Sequence, residues 1–205
     1  MDKLKEKNIL DTPISEIKFA CMDTETTGLS PATGGRLCEI AVLISQNNNR
    51  LLSYETLINP GKIIGAEVTK IHGITNEMVA NEPMFFQTAP KLLSVLENCV
   101  IVCHNADFDI QFIAGELGEC GFRLGSKVIL DTLKYARTHG EFSKNRLGVI
   151  AQELGHDSKG WHRALADAKM TEVVLYHFLK KFQENGAKTL GDIQKLQTRK
   201  KLEQF

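Results

Sequence analysis

Hydrophobic positions change their period partway along the chain. Between residues 18 and 58 they fall in short blocks, at 19–22, 38–44 and 51–58. Ser30-Pro31 and Gly34-Gly35 separate the first two blocks, and Asn47-Asn48-Asn49 the second and third. Such blocks between turn-forming loops predict three β-strands in an antiparallel meander. Asn59-Pro60-Gly61 ends the pattern, and residues 65–82 predict short helices or irregular chain. Thr75-Asn76-Glu77 and Thr88-Ala89-Pro90 read as helix starts, the second with proline in its first turn. Leu92, Leu93 and Leu96 continue that helix, and the apolar block 100–103 predicts a buried parallel strand.

Helical spacing dominates the rest. Phe108, Phe112, Ile113 and Leu117 share one face, with Gly118 and Gly121 as stops. A brief strand is predicted at 128–130, with Asp131 capping a helix over 132–138. Leu147, Ile150, Ala151 and Leu154 mark a helix over 145–154 that Gly155 stops. A long helix runs from near Ala164 to about Glu184, and Leu190, Ile193 and Leu196 outline one more before the charged run at 199–201. Strands followed by alternating strands and helices predict an α/β fold: a mixed sheet, meander first and parallel strands after, with helices on both faces. The charged residues 1–17 read as a short helix or arm outside the core. The resulting division is an arm at 1–17, a main domain at 18–185 and a helical tail at 186–205.

Composition narrows the class. A chain of 205 residues that is 42% hydrophobic can bury one full core. No apolar run approaches the ~20 residues that span a bilayer. The charged N-terminus has no apolar segment behind it, so no secretory signal is expected. The five cysteines form no Cys-x-x-Cys pair and four lie in or beside apolar blocks, which points to reduced thiols in the cytoplasm and away from a zinc site. With 25 basic and 25 acidic residues the net charge is zero, which argues against a protein that coats long nucleic acid. A small acidic pocket that grips one strand end through metal ions stays open.

The acids carry the chemistry. Asp23 and Glu25 stand at the end of the first block, and strand alternation turns both to one face. Two carboxylates so placed repel unless a cation lies between them, and hard ions such as Mg²⁺ or Mn²⁺ take oxygen ligands. Asp109 occupies the first turn after the 100–103 strand, where groups from neighbouring strand ends converge. Taken singly, either feature is an ordinary strand end or helix start. A third motif is Trp161-His162-Arg163-Ala164-Leu165-Ala166-Asp167-Ala168. On one continuous helix His162 and Asp167 would point ~140° apart, so sharing a site puts His162 on the preceding loop. Four carboxylates hold about two divalent cations, and an imidazole with a reference pKa near ~6.5 can move a proton.

In combination these residues resemble the DEDD superfamily of 3′–5′ exonucleases, in the branch with a catalytic histidine. Within it the chain is similar to the epsilon proofreading subunit of bacterial replicative DNA polymerase and its free-standing relatives. The first family motif matches Asp23-Thr24-Glu25-Thr26-Thr27-Gly28-Leu29, the second His104-Asn105-Ala106-Asp107-Phe108-Asp109, and the third His162 through Asp167. Glu67-Val68-Thr69-Lys70-Ile71-His72-Gly73-Ile74 resembles the segment whose Glu and His approach the substrate end. The resemblance covers about residues 18–182 and implies a ribonuclease H-like sheet. It implies that Asp23, Glu25, Asp109 and Asp167 hold two divalent cations, Mg²⁺ or Mn²⁺, while His162 takes a proton from the attacking water. Thr26, Thr27, Gly28 and Leu29 would hold the terminal nucleotide, with Glu67 and His72 at its sugar. Asp107 is an additional acid, expected to be exposed. The implied activity is release of 5′-mononucleotides from the 3′ end of single-stranded DNA, in proofreading or repair. An exoribonuclease is the alternative, since no residue separates DNA from RNA. A non-catalytic partner-binding module fits less well, because it has no need of five costly polar groups. A polymerase subunit or a second copy of the chain is the expected protein partner.

Overall fold

The computed structural model describes residues 8–157 and 160–198. The meander consists of β1 (Phe19–Thr26), β2 (Leu37–Gln46) and β3 (Asn49–Leu57). Asn47 and Asn48 both take positive φ, 48° and 62°, which lets the β2–β3 hairpin turn tightly. Further on come β4 (Val100–Cys103) and β5 (Ile129–Asp131), giving one sheet in the order β3-β2-β1-β4-β5. Pairing is antiparallel from β3 to β1 and parallel from β1 to β5.

The helices are α1 (Ala66–His72), α2 (Asn76–Val79), α3 (Phe85–Val95), α4 (Ala106–Glu119), α5 (Thr132–His139), α6 (Leu147–Glu153), α7 (Ala164–Glu184) and α8 (Leu190–Lys195). Asp131 caps α5 by accepting from the N–H groups of Leu133 and Lys134. One helix start differs from the pattern. The first turn of α3 begins at Phe85, and Pro90 lies inside the helix. Gln87 accepts from the Met84 N–H at 2.8 Å, and the Thr88 hydroxyl donates to the Phe85 carbonyl at 2.9 Å. The turn is therefore closed before Pro90, which has no N–H to donate to the Phe86 carbonyl one turn back.

Alternation along the strands sorts side chains to two cores. Phe19 and Cys21 of β1, Ala41 and Leu43 of β2, and Val100 and Val102 of β4 face α5 to α8, packing on Tyr135, Ile150, Phe178 and Ile193. Ala20, Met22, Ile40, Val42 and Ile101 face α3 and α4, packing on Leu92, Phe112, Ile113 and Leu117. The same parity, carried two residues further, decides where the acids of β1 point.

Residues 8–17 do not lie outside the core. Ile14 and Ile17 are buried in the α7-side core, and the Ile14 N–H donates to the Lys188 carbonyl at 3.0 Å. In return the Leu190 N–H donates to Thr12, and Leu190, Ile193 and Leu196 are fully buried. Neither short segment can cover its apolar side chains alone, so each covers the other. Residues 1–7 and the charged run at 199–201 lie outside the described residues. No described helix is long and apolar enough to cross a membrane.

Candidate active site

Parity places Asp23 and Glu25 beyond Cys21, on the α7 side of β1. Asp167 comes from the first turn of α7. Ala164 and Ala168 beside it are fully buried, and their small side chains let the helix approach the sheet. Carboxylate oxygens of Asp23, Glu25 and Asp167 lie within 4.8 Å of one another. Asp109 arrives from the opposite layer. It is buried in the first turn of α4, and its Oδ1 accepts from the hydroxyl of Thr24, the β1 residue that points to that side, at 2.7 Å. Three acids thus form a compact set, and the fourth closes the strand end from beneath.

The four acids lie within one another's electrostatic field. Burial raises the Asp23 carboxyl well above its usual range, and repulsion from Asp109, Asp167, Glu25 and Glu39 adds to it. Glu25 is pushed up to about 8, by burial and then by Asp167, Glu39 and Asp109. Asp109 and Asp167 rise to about 7 through burial, opposed by their hydrogen bonds from Thr24 and from the His162 N–H. The donor set is carboxylate oxygen throughout. Such a set fits a hard divalent cation. The neighbouring Cys38 packs with Ile64 and Ile74 and its Sγ lies 3.9 Å from His72 Nε2, while burial and then Glu25 raise its thiol pKa.

A pH dependence follows. Each acid binds its proton more tightly in the folded chain than in the unfolded one, so its stabilising effect is complete below pH ~4. That effect is lost as pH rises through the folded values near 7 and 8. In a chelating buffer Tm is expected to fall as pH rises from 5 to about 8. Saturating Mn²⁺ is expected to abolish that fall, because the bound ion favours the ionised carboxylates. A Tm that rises across the same window in chelator would refute the shifts.

His162 lies on the loop before α7, as sharing the site requires. Its φ is 68°, its N–H donates to Asp167 Oδ1 at 3.3 Å, and its ring stacks on Trp161 with centroids 4.8 Å apart. Trp161 packs on α6 at Gly148, where any Cβ would come within 2.7 Å of the indole. Burial lowers the His162 pKa, favouring the neutral ring.

Glu39 and Arg163 escaped the sequence reading. Glu39 sits opposite Glu25 in the β1–β2 register, is buried, and faces α7. Unrelieved, like charges so placed are destabilising. The Arg163 guanidinium takes both Glu39 oxygens, Nη2 to Oε1 at 2.6 Å and Nε to Oε2 at 3.1 Å. The Ala164 N–H donates to Oε2 at 2.9 Å, so one carboxylate fixes both the start of α7 and the residue after His162. The signal available was a lone acid inside an apolar block, which burial makes costly without a partner. Arg163→Met, which strands Glu39, is expected to cost about 2–4 kcal/mol, moderated because the guanidinium is half-exposed. Glu39→Gln in the Arg163→Met background should recover part of that loss. Urea unfolding of the two single variants and the double variant checks it, and additive losses would dissolve the pair.

The turn after β1 is tied down by its own polar groups. The Thr26 hydroxyl donates to the Gly28 carbonyl at 2.6 Å, and Thr27 exchanges backbone and side-chain bonds with Arg36. Arg36 in turn grips Glu116 of α4 through two bonds of 2.7 Å. Leu29, at the tip, is 84% exposed. His72 is buried beneath this turn. Its Nδ1 accepts from the Ile74 N–H, leaving Nε2 as the donor towards the Thr26 backbone and Cys38. Glu67 is different: its side chain is exposed and paired with Lys70 of the same helix. Asp107 is exposed and faces Lys134.

Residues 20–175 match the RNase_T family model, described as exonuclease. The chain belongs to the exonuclease family. The 3′-5′ exonuclease DinG of Bacillus subtilis is 33% identical over 182 residues, covering 87% of this chain and 19% of that protein. The DNA polymerase III subunit epsilon-like protein of Rhodobacter capsulatus is 31% identical over 192 residues, covering 92% and 27%. The chain therefore spans well under a third of the length of these relatives. E. coli Exonuclease I in complex with a dA16 oligonucleotide superposes with a TM-score of 0.73 at 18% identity, over 82% of this chain and 42% of that one, and shares the fold. The span matched to the exonuclease family contains all four acids, His162, and the Glu39–Arg163 pair. It leaves out residues 8–17 and α8.

Proposed function

We propose that this chain hydrolyses phosphodiester bonds at the 3′ end of single-stranded DNA and releases 5′-mononucleotides, in proofreading or repair. The observation that carries the reading is the set of three carboxylates within 4.8 Å, tied to His162 through Asp167. Asp23, Glu25 and Asp167, with Asp109 at their edge, would hold two Mg²⁺ or Mn²⁺ ions, which when bound supply Lewis-acid stabilisation to the phosphoryl charge. The protein's own groups do the rest. The neutral His162 ring accepts the proton of the attacking water. The turn from Thr26 to Gly28 offers backbone groups to the terminal nucleotide, and exposed Leu29 packs against its base. Buried His72 braces the turn from beneath through its Nε2–H, meeting the sugar only if that contact opens. Glu67 joins them only if its pair with Lys70 opens. DNA is favoured by the relative named for DNA polymerase III, which also makes a polymerase the partner class to seek by co-purification. The described cysteines are free and mostly buried, in keeping with a reducing cytoplasm.

End-labelled strands test the reading. With Mn²⁺, a 5′-labelled DNA strand should shorten stepwise and a 3′-labelled one should lose label at once, with both reactions stopped by EDTA. Internal fragments, label release from the 5′ end or turnover in EDTA would overturn it. Faster loss of RNA than of DNA would shift the substrate to RNA.

A further inference from the structure

A cleft of about 720 Å³ opens beside His162, between the start of α6 and the face of α5 that carries Leu133 and Arg137. Arg137, Lys144 and Arg146 line it, together with His104 and Trp161, and no acid among the described residues does. On a chain of zero net charge this is a local excess of three cations. All three side chains are exposed, and none forms an ion pair with a described residue. Arg36, Arg50 and Arg163, by contrast, each neutralise an acid.

The loop carrying two of the cations is fixed in place. His104 at the end of β4 bonds through Nδ1 to the Thr132 hydroxyl at 2.9 Å, and its Nε2–H donates to the Asn145 carbonyl at 3.0 Å. Leu147, directly after Arg146, is buried in the α7-side core. The backbone that carries Lys144 and Arg146 is thereby held in place before any ligand arrives, which lowers the ordering cost of binding.

We propose that this cleft binds the phosphodiester backbone of the substrate strand on the 5′ side of the scissile bond. The inference rests on the exonuclease reading above. Continuity with His162 makes the strand leaving the site the polyanion nearest to hand. Recognition is of charge and not of bases, because ammonium and guanidinium groups supply it and the indole is already packed on His162 and Gly148. A strand of several nucleotides reaches the cleft, whereas a dinucleotide ends before it.

Two measurements on the purified chain test this: anisotropy of a labelled twelve-nucleotide oligothymidine in Ca²⁺, and Mn²⁺-dependent cleavage of that strand and of a thymidine dinucleotide. The triple variant Arg137→Gln/Lys144→Gln/Arg146→Gln is expected to bind the long strand at least about tenfold more weakly. Its salt dependence should be shallower by about two units, from three lost contacts at ~0.7 each. Dinucleotide kcat/KM should stay within about twofold of the parent, which also reports an intact site. Arg137→Lys/Arg146→Lys, which keeps the charge, should stay near the parent in binding. Unchanged affinity and salt slope in the triple variant, or equal losses on both substrates, would overturn the proposal. Should the parent cleave neither substrate while the triple variant still loses binding, the cleft stands as a strand site and the hydrolytic reading alone falls.

Discussion

Asp23→Ala and Asp167→Ala are expected to lose hydrolysis almost completely while gaining stability in the absence of metal ions. Each removes one of three carboxylates whose oxygens lie within 4.8 Å. Ion-supplied stabilisation of phosphoryl charge is worth several kcal/mol, and at ~1.36 kcal/mol per tenfold its loss is a drop of about 10³ or more. The fold should respond in the opposite direction. Asp23 is held against burial and against four like charges, so its removal relieves both. In chelator at pH 8 the variant should melt above the parent. The two readouts together exclude simple unfolding, which would lower both. A variant that digests single-stranded DNA at the parental rate with Mn²⁺ would show that these acids do not hold the ions.

The sequence made the acids of β1 legible because strand parity is a two-residue rule that short apolar blocks rarely break. Asp109 was legible for a related reason: it directly follows a strand whose end faces the same edge. Parity equally put Thr24 on the opposite side, yet nothing in the sequence marked it as the hydroxyl that Asp109 would find. Glu39 shows the limit more sharply. Its partner stands 124 residues away, and a contact of that kind leaves no periodic trace in either segment. His104 is similar, since its ring fixes a loop 41 residues later.

Residues 8–17 depart from the sequence expectation for an energetic reason. Ile14 and Ile17 sit among charges, and the weak apolar pattern is stabilising only once Leu190 and Ile193 are brought beside it. Pro90 misled in another way. Proline marks a first turn when nothing else satisfies that turn, but here Gln87 and Thr88 close it one step earlier. In each case local propensity was overruled by a partner that only the folded chain supplies.

His162→Ala is expected to lower kcat by about 10²–10⁴, the range of a lost general base. Affinity for Mn²⁺ should stay close to parental, because the contact to Asp167 is made by the backbone N–H, which the variant keeps. The left-handed φ of 68° introduces a second effect to separate, since alanine is strained there and asparagine much less so. His162→Asn should therefore be as slow as the alanine variant if the lost ring is the cause, and faster if backbone strain is. Added imidazole should restore part of the rate to His162→Ala, as a diffusible proton acceptor can and a structural side chain cannot. The ring's pKa is lowered by burial, so at saturating Mn²⁺ the parental kcat/KM should fall on the acid side, at a pH below the pKa of a free imidazole. That limb should vanish in both variants. A variant with parental kinetics from pH 6 to 9 would remove His162 from the reaction, leaving its stack on Trp161 as a packing contact alone.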